Sequence, residues 1–145
     1  MNIPKIPDNS LTEEIKEIVK LCIELDDVDV SEFNPPATNE EIKMWENRNN
    51  ITLPESYKDW LSFSNGSQIL GQLACFYSLN RIVTNGHGFS DDYVVIASLI
   101  GDGEYLCFSK TDQSYFWLDH DNVVEITNLN LFLKETVIRM LKKSL

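Results

Sequence analysis

Basic side chains almost vanish from the middle of this sequence: residues 82–127 hold eight acids and one base, Lys110. A segment charged in that way repels phosphate, so no nucleic acid is expected as a ligand. Long apolar runs are missing too. None approaches the roughly 20 residues of a spanning helix, and Asp8 and Glu13 interrupt the stretch a signal peptide would need. No membrane contact is expected, and the protein is placed in the cytoplasm. Cysteine is scarce: Cys22, Cys75 and Cys107 stand singly in apolar surroundings, with no CxxC pair. They read as small buried hydrophobes in a reducing compartment. Catalytic signatures are also lacking. There is no phosphate-cradling loop with a lysine and no Gly-x-Ser-x-Gly elbow, and neither His87 nor His120 has a recognisable nucleophile.

What is present belongs to a globular protein. With 145 residues, 43% hydrophobic and 24% charged, the chain suits one domain over residues 1–145. The stretch from Tyr93 to Ile126 organises it. Runs at Tyr93 to Leu99, Glu104 to Phe108, Tyr115 to Leu118 and Val123 to Ile126 are rich in branched and aromatic residues and separated by turns. They predict an antiparallel meander.

Helices are predicted on either side of it. Ser10 to Leu25 carries Leu11, Ile15, Ile18, Val19, Cys22 and Leu25 at helical spacing, with Glu14 off that stripe, and Ser10 with Glu13 forms a capping box. In the acidic connector that follows, Val28 and Val30 alternate with acids as a short edge strand would. Thr38 and Glu41 form a second capping box, and Asn49-Asn50 ends that helix. Pro54 opens a third helix, with Tyr57, Trp60, Leu61 and Ser64 along one side, and Asn65-Gly66 closes it. The apolar pieces of Gln68 to Tyr77, divided by Gly71, form either a hairpin or one bulged strand. Thr84 to Asp92, with two glycines, is a candidate recognition loop. A last helix, capped by Thr127 or Asn128, carries Leu129, Phe132, Leu133, Thr136, Val137, Met140 and Leu141.

Chemistry was weighed at three places. Asp119, His120 and Asp121 put at most two ligands on one face of an extended segment, too few for zinc. Gly101-Asp102-Gly103 lacks the alternate acids of a calcium loop and reads as a tight turn. Asp102 and Glu104 would serve a hydrolase only from a cleft that separates their acidities. No catalytic residue, metal or cofactor is assigned.

An ordered set of fragments resembles the SUKH superfamily, whose founding member is a yeast regulator of cell-wall synthesis. The set comprises Pro35-Pro36-Ala37-Thr38, Glu40-Glu41-Ile42, Glu46, Leu53-Pro54, Tyr57, Leu61 and Asn65-Gly66. It continues with Ile100-Gly101-Asp102-Gly103 before the Glu104 strand, an aromatic strand ending in Asp119, and Phe132-Leu133. Asn49-Asn50 stands where the family often has glycine. The resemblance implies an α+β fold, a mostly antiparallel sheet with N-terminal helices packed on it and a C-terminal helix. It also implies an immunity protein that binds and neutralises a cognate toxin, often a nuclease.

The resulting expectation is a binding module, not an enzyme, acting on a basic toxin as a monomer or weak dimer. A regulatory scaffold for an endogenous protein and an uncharacterised hydrolase are the alternatives. Asp91, Asp92, Asp102, Glu104, Asp119 and Asp121 are the expected partner-binding residues, through charge complementarity. Pro54, Tyr57, Trp60, Asn65, Gly66, Gly101 and Gly103 are expected to hold the fold.

Overall fold

The computed structural model describes residues 1–100 and 103–145. Gly101 and Asp102 lie outside the described residues. Among the described residues, seven strands form one sheet in chain order: β1 (Glu32–Phe33), β2 (Ser67–Ile69), β3 (Ala74–Phe76), β4 (Tyr93–Leu99), β5 (Glu104–Ser109), β6 (Tyr115–Asp119) and β7 (Asn122–Ile126). Every neighbouring pair is antiparallel. The meander is as expected, and the segment before it, Gln68 to Tyr77, is the hairpin of the two alternatives, extending the same sheet. The helices are α1 (Thr12–Glu24), α2 (Asn39–Asn49), α3 (Glu55–Leu61), α4 (Leu129–Phe132), a π-helical stretch Leu133–Ile138, and α5 (Arg139–Lys143). None is long and apolar enough to cross a membrane.

Local signals explain most boundaries. Thr38 accepts from Glu41 N at 3.1 Å while the Glu41 carboxylate accepts from Thr38 N at 3.0 Å, so the α2 capping box forms, and Asn50 ends the helix at φ 53°. The Ser10 box does not form. The Ser10 hydroxyl is taken by the Asp59 carboxylate on α3, and α1 starts at Thr12. There Asn9 Oδ1 accepts from Leu11 N at 2.9 Å. Glu14 is not on the outer side either. It is 4% exposed and accepts from Asn130 Nδ2 of α4 at 2.5 Å, a partner that periodicity could not supply. Val28 and Val30 are exposed and outside any strand; the edge strand is β1, just after them. α3 ends at Leu61, before Asn65-Gly66. Ser64 therefore sits beyond the helix, its hydroxyl donating to Gly66 O at 2.9 Å. The last helix is not uniformly α: the π stretch, with bonds reaching one residue further, rotates the inner face. Ile138 is buried, and Met140 is only partly so.

The main core lies between the helices and one face of the sheet. Trp60, fully buried, packs its ring 4.6 Å from that of Phe76 and 5.7 Å from that of Phe63. Tyr57 is equally buried, and its hydroxyl donates to Tyr77 O at 2.7 Å with Ile96 O 3.2 Å away. Burial holds its pKa well above the usual phenol value. Those carbonyls flank a bulge in β4, where the register with β5 shifts between Val95 and Ala97. The bulge turns both Ile96 and Ala97 into the core and resets the phase, so that Leu99 points inward and Ser98 outward.

Gly66 makes the turn into β2 at φ 106°, and a Cβ there would lie 2.8 Å from Asn34 Nδ2. Asn65 Oδ1 beside it accepts from Leu79 N at 2.9 Å. Tyr57→Phe should cost about 1–2 kcal/mol by removing one buried hydrogen bond. Gly66→Ala should cost about 1–3 kcal/mol through backbone strain and the close approach. Denaturant unfolding checks both, with unchanged m-values expected.

Candidate functional site

A sheet with helices on one side leaves its other face to be filled differently. One register row crosses all seven strands on that face: Glu32, Gln68, Cys75, Ser98, Tyr105, Leu118 and Val123. Its β1–β4 half is polar and concave. Gln68, Cys75, Tyr77, Ser78, Arg81 and Ser98 line a groove of about 320 Å³ there. The Arg81 guanidinium sits 6.0 Å from the centre of the Tyr77 ring, within range of a cation–π contact. Burial pushes the Cys75 thiol up, and Ser98 and Arg81 oppose that shift. The groups that converge, with Glu32 at the β1 edge, are amides, hydroxyls, a carboxylate, a thiol and a guanidinium: a hydrogen-bonding surface.

The other half is apolar. Val95, Cys107 and Leu118 are buried beneath Tyr77, Val83, Phe89, Tyr93, Tyr105 and Phe116. No helix contributes to this second cluster. Part of its cover, Phe89, comes from the segment Thr84 to Asp92 expected as a recognition loop, and Val83 comes from just before it. Val83 exchanges backbone bonds with Val95 at 2.9 and 3.1 Å, and Phe89 packs on the cluster. Burial of Cys107 beneath it pushes that thiol up to about 12. Cys22 is also buried, while Cys75 is partly exposed at the groove, unlike the uniformly buried thiols expected.

The six acids expected to bind a partner do not form one cluster. Asp91 and Asp92 precede β4, whereas Glu104, Asp119 and Asp121 lie at the opposite end of β5 and β6. Five residue steps along β5 separate the ends, about 17 Å. Asp102 lies outside the described residues, as does Gly101. At the first end Asp92 serves the fold. Its carboxylate accepts from Ser109 Oγ, from Thr111 N at 3.2 Å and from Thr111 Oγ1 at 2.6 Å, clamping the β5–β6 turn. The Ser109 and Thr111 bonds hold its pKa below the ordinary carboxylate value. Asp91 is exposed.

At the second end Glu104 and Asp119 face each other across β5 and β6. Burial, then the Asp119 charge, raises the Glu104 pKa, with His120 opposing. His120 Nδ1 lies 2.7 Å from Asp119 Oδ1. Gly103 has φ 73°, and a Cβ on it would meet the His120 ring at 3.3 Å, so this glycine is required where the β4–β5 and β6–β7 turns touch. Asp121 is exposed at the tip of the second turn. Of the residues expected to hold the fold, Pro54 stands at the start of α3, Tyr57 and Trp60 are fully buried, and Asn65 and Gly66 shape the turn into β2. Sequence reasoning passed over Gln68, Ser98 and Arg81, because nothing before the bulge is located shows that Ser98 faces outward with Gln68.

The two ends carry opposite pH signatures. A lowered folded pKa makes Asp92 stabilising above its unfolded value near 3.9, and that contribution is lost as pH falls through the folded value. A raised folded pKa makes ionised Glu104 a cost, which appears as pH rises above its unfolded value near 4.3 and through the folded one. Asp92→Asn should therefore lower the melting temperature at neutral pH and Glu104→Gln should raise it. Both differences should shrink in melts taken at about pH 3.

No curated protein matches the chain. The sequence profile of the SMI1 / KNR4 family (SUKH-1) matches residues 36–130, from the turn before α2 through the whole meander to the start of α4. That span is about two thirds of the chain and contains most of the groove lining, the second cluster and both acidic ends; the chain belongs to the SMI1 / KNR4 family (SUKH-1).

Proposed function

We propose that this protein is a binding module that neutralises a cognate toxin in the cytoplasm by covering part of its surface, without catalysis of its own. The observation that carries this reading is the helix-free face of the sheet, one half a polar groove and the other an apolar cluster covered by Tyr77, Phe89, Tyr93, Tyr105 and Phe116. A broad surface of hydrogen-bonding and aromatic side chains suits protein recognition. The acidic ends beside it suit a basic partner, through steering and charge complementarity. Membership of the SUKH-1 family supports the immunity role, as the motif resemblance does.

The test is co-expression with the product of the neighbouring coding sequence, which this reading expects to carry a toxin domain. Cells carrying both should grow, and cells carrying the toxin alone should not. Growth arrest in both would overturn immunity, and capture of an unrelated endogenous protein instead would favour a regulatory scaffold. The rate of association should fall steeply with salt up to near-physiological ionic strength, where the Debye length is about 8 Å, while dissociation changes less. Reversing Asp119 and Asp121 to lysine should slow association more, per charge, than reversing Glu13 and Glu17 on α1. Equal effects would mean that only net charge matters.

A further inference from the structure

The two edges of the sheet are finished differently. β1 has two residues and runs into Pro35-Pro36, so it offers little backbone for pairing. β7 has five, paired with β6 at five successive positions without a bulge. Among the described residues it pairs with no other strand. Alternate residues of an antiparallel strand turn their N–H and C=O away from the neighbour, so β7 presents a row of donors and acceptors outward. Folded proteins blunt such edges with lysine, proline, bulges or a covering element. Here Asn122 to Glu125 are exposed, Val123 at 45% and Val124 at 51%, and residues 111–133 contain no lysine or arginine.

From this we infer that β7 is a docking edge for an extended segment of the partner protein, one whose apolar residues alternate with basic ones. Charge decides the occupant. Glu125, Asp121 and Asp119 line this strand and the turn before it with no lysine or arginine beside them in sequence, and His120, between the two aspartates, is paired with Asp119. A second copy would set the same net-acidic strand and turn against itself, which repels. A basic segment meets them as counter-charges: with its basic residues on the helix-free face, where Glu125 lies, its apolar residues all fall on the other face and cover Val124. Main-chain bonds supply the affinity and the alternating side chains the selectivity. The inference rests on the binding-module reading and adds the shape and chemistry of what is bound.

The probe is acetyl-Lys-Val-Lys-Val-Lys-Val-amide, titrated into the whole ¹⁵N-labelled chain. The amides of residues 122–126 should shift saturably. A peptide with glutamate for lysine should bind at least about tenfold more weakly, and N-methylation of alternate residues of the Lys peptide should abolish binding. Val124→Lys should weaken the Lys peptide by a similar factor while leaving the melting temperature close to that of the parent. Shifts centred on Gln68, Cys75 and Ser98, no saturable binding, or β7 shifts that depend on protein concentration alone would each overturn the docking edge. In the co-expression assay, full protection by Val124→Lys would overturn it and leave immunity standing, whereas no protection by the parent chain removes immunity alone.

Discussion

The hydroxyl of Tyr57 ties the helical layer to the one irregular point of the sheet, and the layout of both faces depends on that point. Strict alternation along β4 would send Ala97 and Leu99 outward and Ser98 into the core. The bulge after Val95 admits Ile96 and Ala97 together and restores Leu99 to the apolar side. It also leaves the Ile96 carbonyl accepting from Tyr77 N at 2.8 Å with the Tyr57 hydroxyl 3.2 Å away. A buried phenol is tolerated because its proton has a carbonyl to meet. The core and the groove are thus consequences of one inserted residue, held by a side chain from α3.

Charge is distributed to suit a surface that binds. Glu104 stands opposite Asp119 at a sheet end; burial first and then the like charge raise its pKa, so its ionisation works against folding. Asp92, an acid of the same meander, is spent on a turn instead. Two acids alike in sequence therefore differ in what they do, because one has hydroxyl and amide donors within reach and the other has a carboxylate. The uncovered β7 edge belongs to the same picture: the sheet ends in a strand that carries neither proline nor lysine where β1, at the far side, is short and followed by two prolines.

Alternation of apolar residues, turn composition and capping pairs depend on near neighbours in the chain, so the sequence by itself determined the meander strands, the Thr38–Glu41 cap and the buried roles of Tyr57 and Trp60. The ordered motifs determined the family. Tertiary structure alone decided what depends on partners distant in sequence. Asp59 takes Ser10 from its expected cap, 49 residues away, and Asn130 draws Glu14 into the interior across 116. The bulge decides that Ser98 joins Gln68 and Cys75 on one face, and strand length and direction place Asp91 and Asp92 at one end and Glu104 and Asp119 at the other. Local periodicity carries no information about which segment arrives opposite another, because pairing register and helix packing are settled by burial and hydrogen bonding across the whole fold.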